Sequence, residues 1–436
     1  MKYWLLPLLF LALVGCGSKK TTGMPPGWTI EAFPPEYTAR MVRLDRDGMR
    51  NKVLNLYELA LEALRREDRE TAKLALDEAL LEIEVLYGNS DQARRARSLW
   101  RSEDDKIYKG DPYERSMAYF YRGVLFMQDA EWDQARACFR SAIIQDTLSQ
   151  QEEYNADWAT FEYLIGVCET RLGRPGHARE AFERATLHYA AFRDGYPSLD
   201  YAPRGGSSMA RRISFGPELP GFDESTNLLV ISQQGNAPDK IALGEYGELL
   251  GFAPGGGGGT LRKVHLDGRP LGSVITDSVF YQAKTRGGRP LDSILKGQAR
   301  FKKVGEDVGA GSAAVGAGIL MQNNNKEDND TATIVGAGLI AFGAISYGIA
   351  SLVRPEADTR EWATLPESIA LWTGSLPEES VTLEALPLFS DQTIAKSISL
   401  PRPQEGVEVV LVFAEPWGTI LTRESSNLTT TERTQP

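Results

Sequence analysis

The sequence predicts an α+β multidomain protein, in which an N-terminal helical repeat domain precedes a smaller mixed α/β domain with a Gly/Ala-rich helical hairpin. Residues 35–195 are rich in Ala, Leu, Glu and Arg with a period of about 3.6 residues, which is typical of helices. Residues 228–420 instead contain short apolar runs between turn-forming residues. Gly-Gly, Gly-Pro and Pro-Gly pairs at 196–227 predict a linker between the two domains.

Composition and charge restrict the function classes. Of 436 residues, 42% are apolar and 25% are charged, which is the balance of a globular protein, and the net charge is −11. An acidic surface repels phosphate backbones, so we expect no nucleic-acid partner. Cys16, Cys138 and Cys168 are too few for a disulfide framework and lack metal-ligand spacing. A Cys138–Cys168 bridge stays open, because only the geometry decides it.

The chain begins with the features of an export signal. Lys2 supplies a positive start, and the apolar run at 3–14 is too short to span a bilayer and remain there. The letters LVGC at 13–16 resemble the lipobox of bacterial lipoproteins, in which cleavage precedes the cysteine and its thiol is acylated. The alternative is an ordinary secretory signal with an incidental cysteine, but a polar stretch begins directly after Cys16.

The predicted anchor implies a location. We predict a signal peptide at 1–15, lipidation of Cys16 and a flexible tether at 16–34. Three acyl chains, at ~0.8 kcal/mol per buried CH₂, make detachment negligible. In enteric lipoproteins an Asp after the cysteine causes retention in the inner membrane, whereas Gly17 stands there in this chain. The resemblance therefore implies the periplasmic face of the outer membrane.

Self-comparison of the helical region gives copies in the order of a tetratricopeptide (TPR) repeat. Small residues at the helix crossing let two backbones approach, while an aromatic side chain fills the gap toward the next repeat. Gly123 and Gly166 lie 43 residues apart rather than the usual ~34, which suggests an insertion around 147–155. An unrelated helical bundle remains the alternative. The matching positions are Gly123, Phe126, Ala135, Phe139 and Ala142; then Gly166, Gly173, Ala178, Phe182 and Ala185; and, in a weaker first copy, Ala60, Ala72, Leu76 and Ala79.

Short helical arrays present a concave groove that suits peptides or helices. If the first helix of each repeat faces inward, this groove forms a partner-binding site. The alternative is that the same apolar residues are core between stacked repeats, which we favour for Phe120 and Val167. The predicted groove residues are Met117, Phe120, Val124, Met127, Thr160, Tyr163, Val167 and Arg171.

The second half contains β signals and a tail at 421–436 that is predicted to be disordered. Leu266-Asp267-Gly268-Arg269 has the composition of a hairpin turn. Residues 292–303 have the pattern of a short amphipathic helix with a basic end. The candidate strands are 228–231, 272–280, 368–372 and 407–413.

Two uncharged segments dense in Gly and Ala, 308–322 and 333–353, are predicted to pair as a helical hairpin over 308–353. The second segment is long enough to cross a bilayer. Three interpretations stay open. The hairpin packs against the C-terminal sheet or between subunits, it dips into the outer membrane, or it forms a glycine-rich oligomeric pore.

Several motifs follow one another in an order that resembles a little-characterised family of bacterial TPR-repeat outer-membrane lipoproteins. After the lipobox come GDPYERSMAYFYRGVLFM at 110–127, LLVISQQGNAPDK at 228–240, the Gly/Ala-rich segment and ADTREWATLPESI at 357–369. The resemblance implies a role in the cell envelope and brings no established activity. It also implies that Arg360, Trp362 and Pro366 define the fold rather than take part in catalysis.

The residues point to no catalytic chemistry. His177, His188 and His265 form neither a metal cluster nor a Ser-His-Asp order. The glycine run at 255–259 lacks the Gly-Lys-Ser/Thr ending of a phosphate-binding loop. We therefore predict that the protein is not an enzyme and uses no cofactor or metal.

These observations predict a lipid-anchored periplasmic scaffold or adaptor that binds protein partners in cell-envelope assembly or biogenesis. Its expected partners are the outer membrane, through the N-terminal lipid, and envelope proteins of unspecified identity. Homo-oligomerisation is left open. The alternative is a membrane-inserting oligomeric pore or secretion component that uses the Gly/Ala-rich hairpin.

Overall fold

The structure is a computed structural model, and its described residues fall into several segments. The predictions for the signal peptide at 1–15, for Cys16 and for the Gly/Ala-rich hairpin at 308–353 lie outside them, as does nearly all of the helix predicted at 292–303. The described residues are 22–88, 107–147, 158–195, 218–253, 255, 262–270, 274–285, 303, 357–376, 381–387, 394–400, 406–413, 419–421 and 431–434.

Mixed helix and sheet confirms the predicted α+β class. The eight α-helices of the described residues are α1 (Thr38–Asp47), α2 (Lys52–Arg65), α3 (Arg69–Gly88), α4 (Pro112–Gln128), α5 (Trp132–Thr147), α6 (Ala159–Arg171), α7 (Pro175–Gly195) and α8 (Val279–Thr285). Within the described segments the helices pair as antiparallel hairpins, α2 with α3, α4 with α5 and α6 with α7, and α3 packs on α4 as α5 packs on α6.

The three hairpins share one turn and one close contact. Glu67, Ala130 and Gly173 occupy the same turn position with positive φ, at 64°, 61° and 68°. In each turn the next residue donates its N–H to a carbonyl five residues back, as in a Schellman ending. An added Cβ at Gly123 would lie 2.6 Å from the ring of Phe139, and one at Gly166 would lie 2.7 Å from that of Phe182. The small residues are therefore needed where the paired helices cross.

The strands form two five-stranded sheets and a separate hairpin. The strands of the described segments are β1 (Leu228–Gln234), β2 (Asp239–Leu243), β3 (Leu249–Ala253), β4 (Arg262–Leu266), β5 (Arg269–Pro270), β6 (Val274–Ser278), β7 (Ser368–Gly374), β8 (Val381–Pro387), β9 (Ile394–Leu400), β10 (Glu408–Phe413), β11 (Thr419–Leu421) and β12 (Thr431–Thr434). The first sheet has the order β11-β10-β1-β7-β6, the second has the order β12-β9-β8-β4-β5, and β2 pairs with β3.

The first sheet lies between the helices and the second sheet. Its central strand β1 is parallel to β10 and antiparallel to β7. Leu229 and Ile231 join the core of the helical hairpins, whereas Leu228 and Val230 join a separate cluster with strands of the second sheet. Alternate side chains of a strand point to opposite faces, so burial of both faces explains the continuous apolar run of β1.

The structure confirms several local predictions. The strands predicted at 228–231, 368–372 and 407–413 correspond to β1, β7 and β10. The candidate at 272–280 is shorter than predicted, because β6 gives way to α8 at Val279. Positive φ at Asp267 (48°) and Gly268 (72°) joins β4 to β5, as expected for a two-residue hairpin turn.

Three segments expected to be irregular are ordered where they are described. In the predicted tether, Trp28 and Phe33 pack against the core next to α1, because this stretch carries apolar residues. In the predicted linker, Phe222 also packs against the core. In the tail, Thr431–Thr434 pairs with β9 in an antiparallel ladder.

Candidate partner-binding surface

The inner face of the helical array is filled by the rest of the chain. Of the eight residues predicted to line an open groove, seven are at most 1% exposed and Arg171 is half-buried. Contrary to that expectation, this face is not an open groove in the structure, and the alternative that these residues are core describes it. The seven are Met117, Phe120, Val124, Met127, Thr160, Tyr163 and Val167.

Buried hydrogen bonds fasten the first sheet onto this face. The amide of Gln128 on α4 donates to the carbonyl of Val409 on β10 at 3.1 Å. The hydroxyl of Tyr121 donates to the side-chain oxygen of Gln233 on β1 at 2.8 Å. An unpaired polar group in such a core costs roughly 1–3 kcal/mol, so these contacts also select the register of helix against strand.

Three of the motifs that carry the family resemblance meet in one buried charge cluster. Asp111 and Glu114 form a capping box at the start of α4. The ammonium group of Lys240 on β2 lies 2.6 Å from Asp111 and 2.7 Å from Glu114. The second carboxylate oxygen of Glu114 accepts the backbone N–H of Trp362 at 2.8 Å. Residues far apart in sequence are thus joined through one carboxylate.

The charge state of Lys240 follows from this geometry. Burial lowers its pKa, but the carboxylates of Asp111 and Glu114 outweigh burial and raise the pKa overall. Nearby, the guanidinium of Arg360 forms a two-point ion pair with Asp358, and the ring of Trp362 stacks on Tyr57 at 4.2 Å. These contacts are all within the chain, so Arg360 and Trp362 have structural roles here. Pro366, the third residue of that motif, is buried.

A second buried carboxylate caps α6. The Oδ2 atom of Asp277 on β6 accepts the backbone N–H of Thr160 at 2.7 Å, and its Oδ1 atom accepts the amide of Gln282 at 3.2 Å. Burial raises the pKa of Asp277 to about 7, although the hydrogen bonds from Thr160 and Gln282 lower it. The hydroxyls of Thr160 and Thr276 also meet at 2.6 Å. Thr160, predicted to face a partner, therefore holds strand β6.

An open groove does exist at the end of the array, with a volume of about 960 Å³. We call it the terminal groove and define it by Ala178, Phe182 and Leu187 of α7 on one side and Phe222, Asp223 and Glu224 on the other. The volume is within the ~300–1,000 Å³ range of ligand pockets. The rings of Phe182 and Phe222 lie 6.4 Å apart and form an apolar floor.

Two of the residues that were predicted to bind a partner, Tyr163 and Arg171, hold the wall of the terminal groove in place. The hydroxyl of Tyr163 donates to the carbonyl of Pro220 at 2.8 Å, and its ring meets that of Phe182 at 5.2 Å. Arg171 donates to the carbonyl of Thr226 and lies over the ring of Phe222. These two residues therefore border the groove from behind, although they do not line it.

The rim of the terminal groove is acidic. Glu183, Asp223 and Glu224 supply three carboxylates against the single guanidinium of Arg179. Hydrogen bonds from the hydroxyl and the backbone N–H of Ser225 lower the pKa of Asp223, so its carboxylate is ionised at neutral pH. A ligand with an apolar face and flanking cations complements this surface.

No relative was found. Comparison with family models, with curated proteins and with solved structures gave no match. The family resemblance of the motifs therefore stays a prediction.

The structure also bears on the predicted cysteine bridge, on metal-ligand groups and on membrane-spanning helices. Cys138 and Cys168 are free thiols, and burial raises the pKa of Cys138 to about 12 and also raises that of Cys168. Across the part of the chain that the structure describes, no group of three or more His, Cys, Asp or Glu side chains could hold a metal ion. The same part contains no helix that combines the length and the apolar character needed to span a bilayer.

Sequence reasoning missed the residues that close the inner face. For Asp111 and Glu114 a signal was present, because Asp111-Pro112-Tyr113-Glu114 has the spacing of a capping box with proline in the first turn. Lys240 and Asp277 had no such signal. Their importance depends on partners more than 100 residues away in sequence.

Proposed function

We propose that this protein is a lipid-anchored periplasmic adaptor that binds a helix of a partner protein in the terminal groove. The observation that carries the proposal is the contrast between two surfaces: the inner face is closed by the first sheet, whereas the terminal groove is open and apolar. Ligand-binding grooves are mostly apolar with a few polar groups at fixed places, and the terminal groove has this character. The expected anchor at Cys16 would hold the body at the outer membrane, where envelope proteins are its natural partners.

We further propose that the three helix hairpins are TPR-like repeats. Their common turn and the matching Gly123–Phe139 and Gly166–Phe182 contacts support this interpretation. Repeat arrays need a polar cap or a partner at their ends, because each repeat buries its apolar face on the next. The terminal groove lies on α7, the last of the paired helices along the described part of the array.

Site-specific crosslinking in intact cells tests partner binding. A photo-reactive residue at Thr186, which lines the terminal groove, should capture a defined protein, and Leu187→Asp should abolish that capture. Leu81 and Ile144 provide matched controls, because each is an exposed apolar residue at the corresponding position of α3 or α5, and Leu81→Asp or Ile144→Asp should leave capture unchanged. Equal capture by the Leu187→Asp protein would refute the groove as the binding site.

The anchor is tested separately. A Cys16→Ser variant should lose palmitate labelling and should no longer float with outer-membrane vesicles, because the acylated thiol is gone. Cys138→Ser is the control and should behave as the unmodified protein, since that thiol lies within α5. Persistent labelling of the Cys16→Ser protein would exclude the proposed lipid site.

A further inference from the structure

The docking of α4 on α3 shows how one hairpin receives the next. Lys73 of α3 pairs with Asp129 just after α4 at 3.0 Å, and Asp77 of α3 pairs with Arg122 at 2.6 Å. Lys73 precedes Asp77 along α3, whereas its partner Asp129 follows Arg122 along the docked segment. The two helices therefore run antiparallel. Between these ion pairs Leu76 is fully buried.

The next junction uses the same two receiving positions, but both of them pair with a single residue of the docked helix. Arg136 and Arg140 occupy the positions on α5 that correspond to Lys73 and Asp77, and both pair with Glu169 of α6, at 3.1 and 3.3 Å. Phe139, which corresponds to Leu76, is again fully buried. The charges on the receiving helix are therefore matched by the helix that docks on it.

On α7 the same positions face the terminal groove. Arg179 and Glu183 have the charge order of Lys73 and Asp77, a cation followed four residues later by a carboxylate. Their side chains are 76% and 68% exposed, and they approach each other at 3.9 Å. Phe182, between them, is partly exposed, in contrast to the buried Leu76 and Phe139. This face thus has the pattern of a docking face that is uncovered in the described structure.

We propose that the terminal groove receives one amphipathic helix of a partner protein, antiparallel to α7. The helix carries a basic residue that meets Glu183 and, seven residues later, an acidic residue that meets Arg179. The spacing is that of Arg122 and Asp129, which meet the corresponding positions of α3. This inference rests on the proposed function and adds the chemistry and direction of the ligand.

The opposite wall of the groove adds a requirement for net positive charge. Asp223 and Glu224 lie beside Phe222 and line the groove, so the docked helix faces two further carboxylates, whose charge the Arg171 guanidinium over the ring of Phe222 offsets in part. Apolar side chains of the helix pack on the floor that Phe182 and Phe222 form, where burial supplies the affinity. The ion pairs at the rim then select orientation and partner.

Three designed peptides of about 18 residues, bound to the full mature protein, test the proposed charge pattern and direction of the docked helix. All three share the same apolar stripe and extra lysines, and they differ at two positions seven residues apart: basic then acidic, acidic then basic, or glutamine at both. Fluorescence anisotropy at low salt should show the basic-then-acidic peptide binding about tenfold more tightly than the reversed peptide, which is about 1.4 kcal/mol. An exchange of charges in the double variant Arg179→Glu, Glu183→Arg should invert that order.

Controls separate this inference from the proposed function. Glu180→Arg changes an exposed residue of α7 that does not line the groove, so it should leave the order of the three peptides unchanged. If Leu187→Asp abolishes crosslinking in cells but the peptides bind without preference, the adaptor proposal stands and the orientation is refuted. If the unmodified protein forms a dimer through this face that Leu187→Asp disrupts, a second copy occupies the groove and the partner helix is refuted.

Discussion

Lys240 shows how a buried charge organises this chain. Its ammonium group lies among Asp111, Glu114 and the carbonyl of Arg360, with distances of 2.6, 2.7 and 2.9 Å. The rings of Tyr108 and Tyr113 lie 5.7 and 5.6 Å from the same group. A fully buried ion pair gains little over an apolar pair, but removal of one partner leaves an uncompensated charge. The cluster therefore fixes which segments meet.

Replacement of Lys240 by Met should destabilise the protein by about 3–5 kcal/mol, because two buried carboxylates lose their cation. The free energy of unfolding, from urea denaturation at pH 7, measures the loss. Lys284→Met is the control, since Lys284 is exposed on α8 and should cost less than about 0.5 kcal/mol. A loss below about 1 kcal/mol for Lys240→Met would contradict the role of the cluster.

Asp277 makes stability depend on pH. Its pKa in the folded protein is raised from 3.8 to about 7, mainly by burial. An acid with a raised folded-state pKa favours folding while it is protonated, so its contribution is complete below about pH 4 and is lost as the pH rises to about 7. The protein should therefore be less stable at pH 8 than at pH 5 on account of this group.

Asp277→Asn should remove that part of the pH dependence, because the amide still accepts a helix N–H and does not ionise in this range. Urea denaturation of both proteins at pH 5 and pH 8 provides the measurement. We expect the unmodified protein to lose stability between these pH values, by an amount on the order of a few kcal/mol more than the variant. An identical difference in both proteins would show that Asp277 does not titrate as argued.

The helix hairpins owe their common shape to one turn conformation. The left-handed region costs a residue with a Cβ roughly 1 kcal/mol, and glycine avoids that cost. Glu67 and Ala130 nevertheless occupy it, while Gly173 has the residue type that the turn favours. The turn is therefore maintained by its hydrogen bonds and by helix packing in the first two hairpins.

Exchange of residue types at this turn should change stability in opposite directions. Ala130→Gly should stabilise the protein by roughly 0.5–1 kcal/mol, and Gly173→Ala should destabilise it by about 1 kcal/mol or more. Thermal unfolding checks both. Gly176→Ala, in the first turn of α7 with no neighbouring atom within 4 Å of the added Cβ, should not destabilise and serves as the control.

The prediction of elements was most successful where the local pattern is strong. Periodicity identified the helical region, and apolar runs identified β1, β7 and β10. The pairs β2–β3 and β8–β9 were missed, because their strands have irregular apolar patterns, although each strand pairs directly with its partner. Within the tail that was predicted to be disordered, Thr431–Thr434 pairs with β9, and no local pattern in the sequence indicates a strand there.

In the molecule as a whole, helices and first sheet share one hydrophobic core. Phe120 and Leu164 of the helices belong to the same cluster as Leu229, Leu371 and Val409 of the sheet. Neither part can be removed without exposing the apolar side chains of this core to water, which costs about 25 cal/mol per Å² of apolar area. We therefore expect the two parts to unfold together.

Hydrogen exchange in increasing urea tests this cooperativity. Amides of α4 and of β10 should exchange with the same opening free energy and the same dependence on urea, because the loss of either element exposes the common core. Amides of α1, at the edge of the array, should open at lower free energy and provide an internal reference. If β10 exchanges while α4 remains protected, the helices fold independently of the sheet.

The order of residues along the chain was enough to predict the helical region, the main strands and the α+β class, because these depend on side-chain periods of 3.6 and 2 within short windows. It was not enough to tell whether the inner face of the helices is open. That depended on contacts such as Gln128 with Val409, 281 residues apart, and on the parallel pairing of β1 with β10. Such contacts leave no periodic trace in the sequence. Only the tertiary structure therefore assigned the predicted groove to the core and revealed the terminal groove as the surface that stays open.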